Sequence, residues 1–226
     1  MRDFPLPLAL TARLSPVVVL ACAGWALTSG PLAASPATEH KAAQQSSHST
    51  GTQSPSAPSS STAPKSYASA PAPCTSIAAK TITSLVPGAK TAGKELPSTD
   101  TKVRRTCSWN ALKGYDYRWL DVSFEIMDSD AAAQKSYQDR TSEKSGGGVV
   151  PGLGDSAYSV VNLTTEDKQQ TREGVVMAQV SNALVVVTYN GSDFETKKAP
   201  STQEINTGAI KAARDAVAAL EDGQKG

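Results

Sequence analysis

Residues 117–127 read Tyr-Arg-Trp-Leu-Asp-Val-Ser-Phe-Glu-Ile-Met. Leu120, Val122, Phe124 and Ile126 alternate there with Trp119, Asp121, Ser123 and Glu125. That period of two marks a strand with one apolar and one polar face. Before it, Val103–Asn110 reads as a second strand, and Gly114 supplies the turn between them. After it, Asp128 or Ser129 can cap a helix running to about Lys144, which Gly146-Gly147-Gly148 stops. A short strand is expected over Ala157–Val161 and a polar hairpin loop over 162–172. Two further strands, Glu173–Val180 and Leu184–Asn190, flank the tight link Ser181-Asn182-Ala183.

Helices close the pattern at both ends. Thr75 or Ser76 can cap a short one bearing Ile77, Ile82, Leu85 and Val86, ended by Pro87-Gly88. Ser201 or Thr202 can cap a last one whose stripe is Ile205, Ala209, Ala213, Ala216, Val217 and Leu220. The expected order is α-β-β-α-β-β-β-α. Short links between strands imply a mostly antiparallel sheet of about five strands, flanked by helices on one or both faces. The class is α+β.

The chain has 226 residues and a formal charge of +1, but it is not uniform. Residues 1–34 read as an export signal. Arg2 and Arg13 flank apolar sequence, and Leu14–Leu27 is too short to span the ~30 Å of a bilayer core. Two processing routes are open. Val19-Leu20-Ala21-Cys22 can serve as a lipobox that makes Cys22 a lipidated first residue, or signal peptidase can cut near Ala34 or Ala37. Either route puts the remainder outside the cytoplasm, lipid-anchored on the outer side of the cell membrane or secreted. Residues 35–73 are mostly Ser, Ala, Pro and Thr, without Leu, Ile, Val, Met, Phe or Trp. Such a stretch cannot offset its ordering entropy and reads as a disordered tether. Residues 74–226 remain for one domain.

Of the three cysteines, Cys22 falls in the signal, which leaves Cys74 and Cys107 as a pair in an exported domain. A disulfide between them is expected. Both histidines, His40 and His48, lie in the tether. The domain therefore has none of the His-based triads, Cys-His pairs or usual catalytic zinc ligand sets. No phosphate-binding or dinucleotide motif is complete, no cofactor or metal is expected, and no basic footprint for nucleic acid is present. Asp121 and Glu125 sit four apart on one strand face, as expected of a solvated face rather than a glycosidase pair.

One cluster suggests binding. Tyr115, Tyr117 and Trp119 alternate on the side opposite Leu120 and Val122, and Trp109 follows Cys107 by two. These rings can form a stacking platform for a small molecule, glycan or envelope protein. Equally, Trp109 can cover the disulfide while the Tyr/Trp row packs under a helix. In Val150–Tyr158 (VPGLGDSAY), the glycines suit positive φ, Leu153 a core plug, and Asp155 a bond to turn amides.

The export signal, the Ser/Ala/Pro/Thr linker, Cys74 opening the first helix, Cys107-Ser108-Trp109 and the VPGLGDSAY segment together resemble the DUF3558-type actinobacterial envelope lipoproteins. That resemblance spans about residues 74–220. It implies a Mog1/PsbP-like α/β/α sandwich, the Cys74–Cys107 bond, an envelope location and no catalytic residues. The functional expectation is an exported, surface-tethered, non-catalytic ligand-binding or sensor-like domain. The alternatives are an envelope-polymer enzyme working through carboxylates and an accessory scaffold subunit of an envelope complex.

Overall fold

The computed structural model describes residues 65–223. The signal region, Cys22, and the tether as far as residue 64, with His40 and His48, lie outside the described residues. A 3-10 turn, Pro73–Thr75, leads to α1 (Ala79–Leu85). Then follow β1 (Lys94–Glu95), β2 (Arg104–Lys113), β3 (Asp116–Ile126) and α2 (Asp130–Ser142). The second half holds β4 (Gly148–Val149), β5 (Ser156–Glu166), β6 (Gln169–Val180), β7 (Ala183–Asp193) and α3 (Thr202–Asp222). All seven strands form one antiparallel sheet in the order β1-β2-β3-β7-β6-β5-β4. The α+β class and the order of helices and long strands are as expected. The two additional strands are two-residue edge pieces that carry no alternation to read.

The alternation in β3 sorts the two faces. Leu120, Val122 and Phe124 pair across β7 with Tyr189, Val187 and Val185, all buried. α3 lies over this inner face: a Cβ on Gly208 would meet the Tyr189 ring, and one on Gly174 would meet Ile205. Ser201 caps α3, its hydroxyl accepting from the Glu204 amide, and the predicted apolar stripe is buried along with Gly208 and Ala212. The outer face takes α2 at one end only. There Ala133 is fully buried, and the Arg140 guanidinium donates twice to Glu125, at 3.2 and 2.6 Å. α2 has little apolar stripe of its own, so this ion pair and Ala133 are what seat it on the sheet.

Four expectations are corrected. The first helix starts at Ala79, because Thr75 and Ser76 turn their hydroxyls back to the Ala72 and Pro73 carbonyls. Residues 162–172 are not a loop. β5 and β6 run on to a two-residue turn, Asp167-Lys168, both at positive φ (49° and 69°), as a type I′ hairpin requires. This extension is polar because residues 162–166 are exposed on both sides, so hydropathy hides it. The β6–β7 link has two residues, Ser181-Asn182, and Asn182 is wholly buried. Finally, residues 65–73, part of the stretch read as tether, pack on the domain. The Tyr67 amide donates to Asn182 Oδ1 at 2.8 Å, and Asn182 Nδ2 donates to the carbonyls of Tyr67 and Met127. Tyr67 and Ala70 are buried by this clasp, a pairing that composition cannot reveal.

The inner face also holds a titratable group. The Tyr189 hydroxyl donates to the Leu85 carbonyl at 2.8 Å, and burial pushes its pKa up to about 12, with the Arg118 guanidinium opposing. An unfolded tyrosine ionises near 10. The folded value is the higher one, so the stabilisation is whole below pH 10 and is lost as pH rises towards 12. Roughly 2–3 kcal/mol should go in that window. Urea titrations between pH 9 and 12 test this. Tyr189→Phe should flatten the decline, and an unchanged decline would refute the assignment.

Candidate functional site

The structure separates the predicted aromatic residues. Trp109 is on the inner face, 1 % exposed, with its indole N–H donating to the Thr91 carbonyl at 3.0 Å. Cys74 and Cys107 are disulfide-bonded. A Cβ on Gly93, which has φ +63°, would lie 2.6 Å from both Cys107 Sγ and the indole. Trp109 therefore packs against the disulfide and takes no part in a platform. The parity of the strand requires this: Trp109 pairs with Leu120, and both point inward.

Tyr117 and Trp119 point outward, where α2 does not reach. Their rings meet edge to face at 6.5 Å, and Tyr117 stacks on Phe194 at 6.0 Å. Trp119 is 38 % exposed and Phe194 47 %. Tyr115 is exposed in the turn before β3, and among the described residues no ring contact joins it to this cluster. Phe194 joins because its amide donates to the Tyr115 carbonyl, which draws the end of β7 alongside the start of β3. The Trp119 indole N–H donates to Asp121 Oδ1 at 2.7 Å, so the next outward residue on the strand orients the ring. Burial raises the Tyr117 pKa, and the Asp121 carboxylate adds to the rise.

Register extends the site across the sheet. Asn110, Trp119, Asn190, Glu173 and Asn162 stand in one cross-strand row from β2 to β5. At ~4.8 Å per strand this row is about 19 Å long. Among the described residues, the side chains of Asn110, Asn190, Glu173 and Asn162 make no hydrogen bond or ion pair within the chain. On one side of the row a groove of about 740 Å³ is floored by Asn162, Thr164, Thr171 and Glu173. On the other, a hollow of about 520 Å³ lies between residues 96–100 and Arg104, Thr106 and Asp121. Trp119 and Asn190 lie on the two strands between these hollows.

Asp121 and Glu125 do not come together as an acid–base pair. Asp121 holds the Trp119 indole, while Glu125 is buried under α2 against Arg140. Asp193 serves the 193–196 turn: its Oδ1 accepts from the Glu195 and Thr196 amides and the Thr196 hydroxyl, which lowers its pKa. Sequence reasoning found Tyr117 and Trp119 but missed Asn110, Asn162, Glu173, Asn190 and Phe194. The mirrored polar alternation Asn162/Thr164/Glu166 and Gln169/Thr171/Glu173 about Asp167-Lys168 is the signal that could have shown part of the row.

Neither a protein-family model nor a curated protein sequence matches the chain. Two solved structures show similarity at a TM-score of 0.28. One is a crystal structure from Bacteroides thetaiotaomicron VPI-5482, 8 % identical, covering 53 % of this chain and 47 % of that one. The other is the extracellular domain of PknH from Mycobacterium tuberculosis, 13 % identical, covering 51 % of this chain and 63 % of that one. The chain thus spans less than two thirds of either structure.

Proposed function

We propose that this protein is an exported, non-catalytic binding module of the cell envelope, whose ligand face is the open half of the outer sheet surface around Trp119. The observation that carries this reading is the Tyr117–Trp119–Phe194 cluster. It is solvent-facing, with the Trp119 ring oriented by Asp121, and continuous with a row of polar side chains that have no partner among the described residues. Exposed aromatic rings beside convergent polar groups are the usual make-up of a recognition surface. The export signal over 1–34 and the linker after it supply the location, with anchoring through Cys22 or release by signal peptidase as the two routes.

The geometry of attachment agrees with display. The clasp between Tyr67 and Asn182 also holds the Met127 carbonyl, at the end of β3. Trp119 lies eight residues back along that strand, roughly 25 Å away at 3.3 Å per residue. Residue 65 therefore stands at the end of the sheet opposite the aromatic cluster, as display from a preceding tether would require. Titrating the 15N-labelled chain with solubilised cell-envelope fragments should perturb the Trp119 indole and the Asn190 side-chain amide. Perturbation confined to the α3 side would sink this reading.

A further inference from the structure

We infer that the ligand of this face is an uncharged or N-acetylated polysaccharide laid across the strands. This rests on the reading of the Trp119 face as the ligand surface and names what that surface takes. The argument begins with charge. Three successive cross-strand rows cross the outer face here, running from Leu112–Tyr117, through Asn110–Trp119, to Ser108–Asp121, with Ser108, Ser192 and Val160 in the flanking rows buried. Across β7, β6 and β5 these rows continue through Ser192, Asn190 and Thr188 to Thr164, Asn162 and Val160. From β2 to β5 they hold Asp121 and Glu173 but no lysine or arginine, while Lys94 on β1 extends the third row and Arg104 lines the hollow beside Asp121. The centre of the face around Trp119 therefore offers carboxylates and no cation, the two cations standing at its β1–β2 margin, which disfavours nucleic acid, phosphate-rich polymers and anionic lipid headgroups there.

Backbone availability decides next. A peptide recognised by strand addition needs a free sheet edge for its main chain. The open face lies over β3, β7 and β6, whose backbone groups are already paired on both sides. A ligand on this face meets side chains alone. Those offered are amides (Asn110, Asn190, Asn162), the Glu173 carboxylate and the Trp119 ring. Amides both donate and accept, which matches hydroxyl and acetamido groups that do the same. A carboxylate accepts from two hydroxyls at once, and an indole face covers the C–H face of a sugar ring. A cationic ligand only donates, so it would use the amide oxygens and the carboxylate and leave the N–H groups of the three amides idle. The row is ~19 Å long and open at both hollows, so it suits a chain of several rings rather than a single one.

The test is affinity electrophoresis of the full chain through gels containing hydroxyethyl cellulose, with isothermal titration against an N-acetylglucosamine hexamer. Dextran sulfate and a poly-lysine peptide are the charged comparators. The expected result is retardation or binding with at least one neutral glycan. Trp119→Ala should weaken that binding at least about tenfold, as for an aromatic anchor. Trp119→Phe should restore most of it, and Glu173→Gln should weaken it severalfold. Trp119 is exposed, so these variants should keep the wild-type circular dichroism and melting temperature. Trp119-dependent binding to poly-lysine or dextran sulfate alone would overturn the glycan assignment while leaving the ligand face in place. No Trp119-dependent binding to any of the four would overturn the glycan assignment, and a silent outer face with envelope fragments would remove the ligand face as well.

Discussion

Replacing both Cys74 and Cys107 by Ala is expected to lower unfolding stability by about 3–4 kcal/mol, from the entropy of an unfolded chain freed of its loop. The bond joins residues separated by 33 positions. It fixes the 3-10 turn at Pro73–Thr75, and so the approach of the chain to α1, against β2. Cys107 is fully buried beside Trp109, and Gly93 lets the 89–93 segment lie directly on both. The double Ala variant also leaves unfilled volume under the indole, which adds to the loss. Urea unfolding of the oxidised chain, the reduced chain and the variant measures it. Equal midpoints would show that the bond constrains nothing the fold does not already hold. Trp109 emission should redden in the reduced chain before the sheet unfolds, since the indole sits on the bond.

Gly154→Ala should cost a comparable amount, about 3 kcal/mol, from αL strain and overpacking together. Gly154 has φ +58°, and a Cβ there would stand 2.5 Å from the Gln179 carbonyl oxygen and 2.9 Å from Val180 Cγ2. The obstacle is mostly backbone, so rotamer changes cannot relieve it. The close approach exists because Asp155 is bonded to the β6–β7 turn. Its amide donates to the Gln179 carbonyl at 2.8 Å, and its Oδ2 accepts from the Ser181 amide at 2.6 Å. Leu153 between the glycines is 3 % exposed and fills the core. Gly152→Ala provides the contrast. It shares the positive φ (+66°) but has open space around the site, so only strain of ~1 kcal/mol should appear. Equal losses for the two variants would contradict the packing argument.

The segment 150–158 shows what a sequence can disclose. The glycines, Leu153 and Asp155 each do the job their chemistry suggested, since turn geometry and core plugging are local demands. Tyr117–Met127 was legible for the same reason: alternation over one strand fixes which side is buried. The last helix was equally legible from its cap and stripe. What stayed hidden was non-local. Asn182 reads as a turn residue, yet its side chain is fully buried and clasps Tyr67, 115 positions earlier. The polar row is spread over five strands and becomes a row only through register. Trp109 was placed on the correct side of its strand with Cys107, and that same parity removes it from the group with Trp119.

The central claim is that the outer sheet face at Trp119 takes the ligand, and Trp109 is its internal control. The two indoles lie on opposite faces of the same pair of strands, one solvent-facing and one buried against the disulfide. In a 1H–15N titration of the full chain with the N-acetylglucosamine hexamer, the Trp119 indole cross-peak should move. The side-chain amides of Asn190 and Asn162 should move with it, while the Trp109 indole stays still. Movement of Trp109 or of α3 amides, with Trp119 unchanged, would contradict the account.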